Sequence, residues 1–314
     1  VTNALAALHL SEIDLDIQWD APIGTMTWFH TTGRADCLIL PRSLPALQEL
    51  IRRCHDGGIG IRVMGSGANL LIDDDGVDGV VVRLSESAFS GFDVQEAADG
   101  VAVTMPAGQD LMRAVTEMAR QGLDGLSAMA GIPASIGGAV RMNAGGAYGS
   151  IADTLTSVTT IRHDGSLQKQ DASTLDLSYR HTSLHDQFIA SATFCLQSHS
   201  PEHVRDRVKE IFAYKKSTQP MADASAGCTF KNPLDPTCDE RLSAGRLIDE
   251  AGLKGHAVGT AQVSDHHANF LGFPAQGRSA DLLALMEVVK ERVRDVHGIT
   301  LEREIVVWSR EASP

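Results

Sequence analysis

The sequence predicts an α+β fold from three observations. Segments with apolar residues at helical spacing alternate with short apolar runs of strand character. An Asp99-Gly100 step between two such runs signals a hairpin. Glycines cluster in two loops, which suggests close approach of backbone to a ligand. The 314 residues suggest two domains or one large one, enough to bury a core without disulfide staples. Hydrophobic residues at 43% and charged residues at 21% are ordinary for a globular chain.

Leu44, Leu47, Leu50, Ile51 and Cys54 recur at helical spacing after Ser43, and Gly57-Gly58 stops that helix. Ile61-Arg62-Val63-Met64 forms a short buried strand that runs into Gly65-Ser66-Gly67-Ala68-Asn69-Leu70. Leu70-Leu71-Ile72 is extended, and Asp73-Asp74-Asp75-Gly76 is a turn of solvated acids, favoured over a cation site. Val80-Val81-Val82 is a strand, and residues 92–94 and 101–103 flank the hairpin step. Leu111, Val115, Met118 and Ala119 mark a second helix ending at Gly122.

Beyond the Gly-rich stretch 131–149, strands are expected at 158–161 and 188–196, separated by turns such as Asp164-Gly165. Residues 201–216 form a helix, with Pro201 in its first turn and Lys215-Lys216 at its end, where cations suit the helix dipole. A helix at 244–251 closes at Gly252. Ser279 is expected to cap a helix through Leu282, Leu285, Met286, Val289 and Val293, ending near Gly298. Ile305-Val306-Val307-Trp308 is the last strand. A soft boundary falls near residues 198–201.

A net charge of −13 disfavours a nucleic-acid surface, yet backbone N–H groups and a few placed cations can still hold an anion. Five cysteines, Cys37, Cys54, Cys195, Cys228 and Cys238, are odd in number and widely spaced without CxxC, so reduced thiols are expected. Residues 1–20 carry Glu12, Asp14, Asp16 and Asp20 and show no signal-peptide pattern. No apolar run approaches the ~20 residues that span a bilayer. A cytoplasmic protein without membrane partners is the expectation.

Gly65-Ser66-Gly67-Ala68-Asn69 offers successive backbone N–H groups, a nest that suits a pyrophosphate, although a tight turn between core strands would look the same. A dinucleotide fingerprint needs a third glycine opening a helix, and the extended residues 70–72 exclude it. The second loop runs from Ala130 to Gly149, through Gly131-Ile132-Pro133-Ala134-Ser135-Ile136-Gly137-Gly138-Ala139 and Met142-Asn143-Ala144-Gly145-Gly146-Ala147-Tyr148. Two such loops could clamp one elongated cofactor.

Here the residues resemble the UDP-N-acetylenolpyruvoylglucosamine reductases. Ordered blocks carry the resemblance over nearly the whole chain. They are Thr27-Trp28-Phe29-His30-Thr31-Thr32-Gly33, residues 64–71, the stretch 131–149 and Ser178-Tyr179-Arg180, then Ser225-Ala226-Gly227-Cys228-Thr229-Phe230-Lys231-Asn232-Pro233, residues 244–255, Val263-Ser264, His267-Ala268-Asn269-Phe270 and Leu301-Glu302-Arg303-Glu304.

The resemblance implies a vanillyl-alcohol-oxidase-like FAD-binding domain of two α/β subdomains, at about 1–86 and 87–199. A C-terminal α+β substrate domain over 200–300 and a terminal strand segment over 301–314 would follow. The short segment after Arg180 resembles the compact subtype without an extra substrate-covering loop. FAD would be held noncovalently by Met64, Gly65, Ser66, Gly67, Ala68, Asn69 and Leu70, and by Gly131, Ile132, Pro133, Ile136, Gly137, Gly138, Ala139, Asn143, Ala144 and Gly145.

The implied reaction passes a hydride from NADPH through the flavin to C3 of the enolpyruvyl group of a UDP-sugar. Charge developing at C2 next to a carboxylate requires fixed positive charge and a proton source. Arg180, by itself an arginine beside a loop, matches the family arginine facing that charge. Cys228 stands where many members carry a proton-donating serine; a thiol, with an ordinary pKa of about 8.5, can donate while protonated. Glu304 matches the second glutamate of the terminal block and would assist, with Glu302 as the fallback. Arg303 replaces the expected proline and could weaken Glu304 as an acid.

Lys231 and Asn232 would contact substrate oxygens, with His267 and Asn269 as weaker substrate candidates. Lys215 and Lys216 are either a phosphate patch or a solvated helix end. His181 and His185 are expected in a surface loop rather than on a metal. A monomer or weak homodimer is expected. Two rivals stand beside this reading: an FAD oxidase or dehydrogenase of the same fold acting on an alcohol or sugar, and a non-catalytic flavin or nucleotide-sugar binding module.

Overall fold

A computed structural model describes all residues except 1–4, 6, 86, 185, 219–224 and 311–314. The chain divides into two compact units, interleaved in sequence. Unit 1 comprises Val1–Trp19, Cys37–Ser66 and Gly79–Lys215; unit 2 comprises Asp20–Asp36, Gly67–Asp78 and Lys216–Pro314. The main helices are α1 (Leu44–Asp56), α2 (Leu111–Gln121), α3 (Ile136–Arg141), α4 (Pro201–Thr218), α5 (Ala244–Glu250) and α6 (Ser279–His297). Among the described residues no helix is long and apolar enough to cross a membrane.

Unit 1 has two cores. The first lies under a four-stranded sheet in the order Leu15–Ala21, Ala35–Pro41, Val77–Arg83, Ile61–Met64. Against it pack Leu47, Leu50, Ile51 and Cys54 of α1, the face expected from their spacing. Ser43 Oγ caps α1 by accepting from Ala46 N–H at 3.2 Å. Ile61–Met64 pairs in parallel with Val77–Arg83 but is the edge strand. Only Met64 of it is buried and Val63 is exposed, so the expectation of a buried strand fails there. A sheet edge has a neighbour on one side only.

The second core lies under a largely antiparallel sheet in the order Leu167–Asp171, Leu155–Ile161, Phe188–Ser198, Gly100–Pro106, Asp93–Ala97. Its hairpin turns at Ala98-Asp99, with Ala97 opposite Gly100. Helix α2 buries Leu111, Val115, Met118 and Ala119 on this core. Asp110 caps its start, accepting from Arg113 N–H at 2.7 Å, and Gly122 ends it in the left-handed region at φ 74°.

Unit 2 is built around α5 and α6, whose Leu247, Ile248, Leu282, Leu285, Met286, Val289 and Val293 form one core with Phe29, Leu71 and Phe230. Leu70–Ile72 pairs in parallel with Val306–Trp308. One expectation is corrected here: Ser279 is the first residue of α6, not its cap. Its N–H and hydroxyl both donate to Asp74, at 2.7 and 3.0 Å. Asp74 is therefore no solvated turn acid. It also accepts from the Thr32 hydroxyl at 2.8 Å, and these hydrogen bonds hold its carboxyl below the usual range against the opposing effect of burial. A carboxylate at a helix N-terminus is the favourable pairing of charge and dipole.

Candidate active site

In unit 1 the start of the first Gly-rich loop, Gly65-Ser66, meets the second loop. Ser66 Oγ donates to Pro133 O at 3.1 Å, and a Cβ built on Gly65 would lie 2.6 Å from Ser135 Oγ. Ser135 is the side chain the sequence reading passed over. It caps α3 by accepting from Gly138 N–H at 3.2 Å, a role its position before a short helical run could have signalled. The loop between α2 and α3 is tied down along its length. Gly131 N–H donates to Met112 Sδ, Ile136 N–H to Gln109 O and Gly137 N–H to Ala107 O. Met64, Ile136 and Ala139 are core residues, and Ile132 and Ala144 pack on the core from its edge.

Arg180 sits in the same unit. Leu177–Ser178 and His181–Thr182 form a tight hairpin with Tyr179-Arg180 as its turn, and Arg180 is left-handed at φ 53°. Its Nη2 donates to Gly145 O at 2.9 Å, and its guanidinium lies 5.2 Å from the Tyr179 ring centroid. Asn143, also left-handed at φ 39°, donates from Nδ2 to Ser178 O at 2.8 Å. His181 is an exposed hairpin residue facing Asp176 at 3.4 Å, and His185 lies outside the described residues.

Lys215 and Lys216 have different fates. Lys216 is exposed, whereas Lys215 on α4 is only 6% exposed. The Lys215 stem runs past the glycines of the second loop: Cβ atoms at Gly131 and Gly146 would lie 3.3 Å from its Cδ and 3.9 Å from its Cε. Burial, reinforced by the nearby Arg180 charge, lowers its ammonium from 10.5 to about 8. Of the two expectations for this helix end, solvation is corrected for Lys215. The signal was in the sequence: Val204, Val208, Ile211 and Lys215 lie at helical spacing on one face, and the first three pack inward.

Unit 2 holds the other candidates. Cys228, half-buried, follows the left-handed Gly227 (φ 76°) and precedes a segment that pairs with the terminal block. Glu304 N–H donates to Thr229 O and Lys231 N–H to Glu302 O, both at 2.8 Å, and Phe230 bridges Arg303. Cys228 and Glu304 thereby stand on adjoining segments. Glu304 is held from its other side as well, because Asn69 Nδ2 donates to its carbonyl at 3.1 Å. Gly67, Ala68, Asn69 and Leu70 of the first loop thus belong to the unit that carries Glu304. Glu302, the fallback acid, is exposed and ion-paired to Lys231 at 2.7 Å.

The remaining substrate candidates are tied to the fold. Asn269 is 1% exposed. Its Oδ1 accepts from Phe230 N–H at 2.9 Å and its Nδ2 donates to Phe230 O at 2.8 Å, which fixes the Cys228 segment. Asn232 Oδ1 accepts from Ala244 N–H at the start of α5. His267 is half-buried, packs edge-on to Phe270, and its Nδ1 accepts from Asn269 N–H. Desolvation lowers its pKa from the ordinary 6.5. All five cysteines are free thiols; Cys37 and Cys54 are buried, and burial together with the neighbouring Cys37 pushes the Cys54 thiol up to about 12.

Comparison with known proteins bears on both units. Residues 35–171 match the FAD binding domain family, and residues 219–308 match the C-terminal domain of UDP-N-acetylenolpyruvoylglucosamine reductase. A UDP-N-acetylenolpyruvoylglucosamine reductase of Syntrophobacter fumaroxidans is 36% identical over 95% of this chain and 85% of its own. One from Desulfosudis oleivorans is 36% identical over 93% of this chain and 94% of its own. The crystal structure of the Thermus caldophilus UDP-N-acetylenolpyruvylglucosamine reductase is 34% identical, covers 94% of this chain and 99% of its own, and superposes with a TM-score of 0.75. The expected α+β architecture with an FAD-binding domain is the one observed. Fold, sequence and solved relative agree: the chain belongs to the UDP-N-acetylenolpyruvoylglucosamine reductase family.

Proposed function

We propose that this protein reduces the enolpyruvyl group of UDP-N-acetylglucosamine enolpyruvate to give UDP-N-acetylmuramate, using FAD and NADPH. The observation that carries the reading is the match of residues 219–308 to the C-terminal domain of the reductases, a segment that contains Cys228, Lys231, Asn232 and Glu304. The same reading makes it a cytoplasmic enzyme of peptidoglycan precursor synthesis, acting on a UDP-sugar as a monomer or weak homodimer.

One feature of unit 1 supports the fit of FAD. A Cβ built on the exposed Gly146 would meet only Lys215 Cε, at 3.9 Å, so bare backbone there lies beside a buried cation. Met64, Gly65, Ser66, Gly67, Ala68, Asn69 and Leu70, with Gly131, Ile132, Pro133, Ile136, Gly137, Gly138, Ala139, Ala144 and Gly145, would hold it; Asn143, expected in the same set, instead turns both ends of its carboxamide to the backbone of Ala152 and Ser178. Bound FAD supplies the capacity to carry a hydride from NADPH to carbon.

The protein's own residues handle charge and proton. As a hydride reaches C3, the double-bond electrons move to C2 beside a carboxylate that is already anionic. Arg180 offers a permanent cation whose planar fork suits a carboxylate. Cys228 gives its thiol proton to C2, and the resulting thiolate is reprotonated from solvent. Glu304 assists that transfer from the adjoining segment. Lys231, Asn232 and His267 orient the substrate.

The test is NADPH oxidation by the FAD-loaded protein with and without the enolpyruvyl sugar, in wild type, Cys228→Ser and Cys228→Ala. Substrate-dependent turnover that survives in Ser and falls at least ~100-fold in Ala is expected for loss of a general acid. Turnover unaffected by Ala moves the acid to Glu304. Bound FAD without substrate-dependent turnover in wild type would replace the reading with an oxidase or a binding module.

A further inference from the structure

We infer that Asn143 is a positioning residue for Arg180, acting on the hairpin that carries the guanidinium rather than on the cofactor. The inference rests on the role proposed above for Arg180. Asn143 is 5% exposed and both ends of its carboxamide face protein backbone. Oδ1 accepts from Ala152 N–H at 3.0 Å, and Nδ2 donates to Ser178 O at 2.8 Å. Ser178 immediately precedes the Tyr179-Arg180 turn and pairs with His181 across it.

The hairpin needs this support. Its two strands are two residues long, Leu177–Ser178 and His181–Thr182. A two-stranded hairpin is marginal by itself even when much longer. Arg180 is held in the left-handed region at φ 53°, a conformation that costs a long side chain energy and persists only where neighbours enforce it. The second tie comes from the same segment, because Arg180 Nη2 donates to Gly145 O two residues beyond Asn143. Residues 143–145 therefore hold the turn at its entry through a side chain and at the guanidinium through a carbonyl. Asn143 is itself left-handed at φ 39°, where asparagine is tolerated better than most residues, so backbone and carboxamide both suit the position.

Asn143→Asp tests this directly. It removes the donor to Ser178 while keeping the acceptor for Ala152 and a residue that tolerates φ above zero. The measurements are FAD content, flavin reduction by NADPH alone, steady-state turnover with the enolpyruvyl sugar, and amide hydrogen exchange of residues 177–182 in the FAD-free protein. Expected are wild-type FAD content and flavin reduction, faster exchange in the hairpin, and a kcat lower by about 10- to 30-fold with little change in KM. Arg180→Ala should lose about 100-fold or more, and adding Asn143→Asp to it should change turnover by no more than about twofold, because both act through one group.

Loss of FAD from Asn143→Asp while Arg180→Ala retains it would overturn the inference in favour of a cofactor contact. So would unchanged exchange and turnover, or losses that multiply in the double variant. Full turnover in Arg180→Ala would overturn the inference together with the role of Arg180, and substrate-dependent turnover in the wild type separates that outcome from failure of the reaction itself.

Discussion

Lys215→Met should stabilise the FAD-free protein at neutral pH. The ammonium is lowered from 10.5 to about 8, first by burial and then by Arg180. At neutral pH it is still protonated in the folded state, so a charge stays in a site that disfavours it. A drop of that size corresponds to about 3 kcal/mol between the two protonation states. Methionine keeps a flexible apolar stem against Gly131 and Gly146 and removes the charge, so a gain of about 1–3 kcal/mol is expected.

The pH dependence has a definite sign. Between about 8 and 10.5 the unfolded chain binds more protons at this position than the folded one, so wild-type stability rises with pH there. The advantage of the methionine variant should shrink across that window and vanish above it. Urea unfolding of both proteins at neutral and alkaline pH measures this, and the difference between them cancels other titrating groups. A variant that is no more stable than wild type at neutral pH, with a difference independent of pH, would refute the reasoning.

Other perturbations follow from the same contacts. Asn269→Ala leaves the N–H and carbonyl of the fully buried Phe230 without their side-chain partner, and thermal or urea unfolding should show a loss of about 2–4 kcal/mol. The lowered His267 pKa means the folded state favours the neutral ring. Its contribution is fully present above 6.5 and is lost as pH falls from there through the lower folded-state pKa, so His267→Gln should flatten the acid side of the stability profile below 6.5. Gly65→Ala drives a methyl to within 2.6 Å of Ser135 Oγ and should break the α3 cap, costing about 1 kcal/mol in unfolding measurements. Ser135→Gly in the same chain should restore most of that.

Much of the fold was legible because its signals are local. The spacing of Leu47, Leu50, Ile51 and Cys54 gave α1, and Gly122 marked the end of α2, because a left-handed residue after a helix favours glycine. The exposed side of Ile61–Met64 was not legible. An edge strand and a central strand share composition, and only sheet order separates them. Ser279 looked like a cap because it precedes an apolar helical run; its hydroxyl instead joins Asp74, 205 residues away in sequence. Lys215 was half legible, since its face follows from spacing while burial of its ammonium does not.

The sequence by itself determined the family-bearing motifs and the positions of the main helices, and it singled out Arg180, Cys228 and Glu304 as candidates for the chemistry. Those depend on residue type and on neighbours within a turn or two of chain. Tertiary structure alone decided what each polar side chain touches. Asn269 clasps Phe230, Asn69 holds the Glu304 carbonyl, Asn143 holds the hairpin of Arg180, and Lys231 pairs with Glu302. A carboxamide presents the same donor and acceptor to a ligand or to a buried backbone group. Which of the two it meets is set by contacts between segments 35 to 235 residues apart, a separation over which local sequence carries no signal.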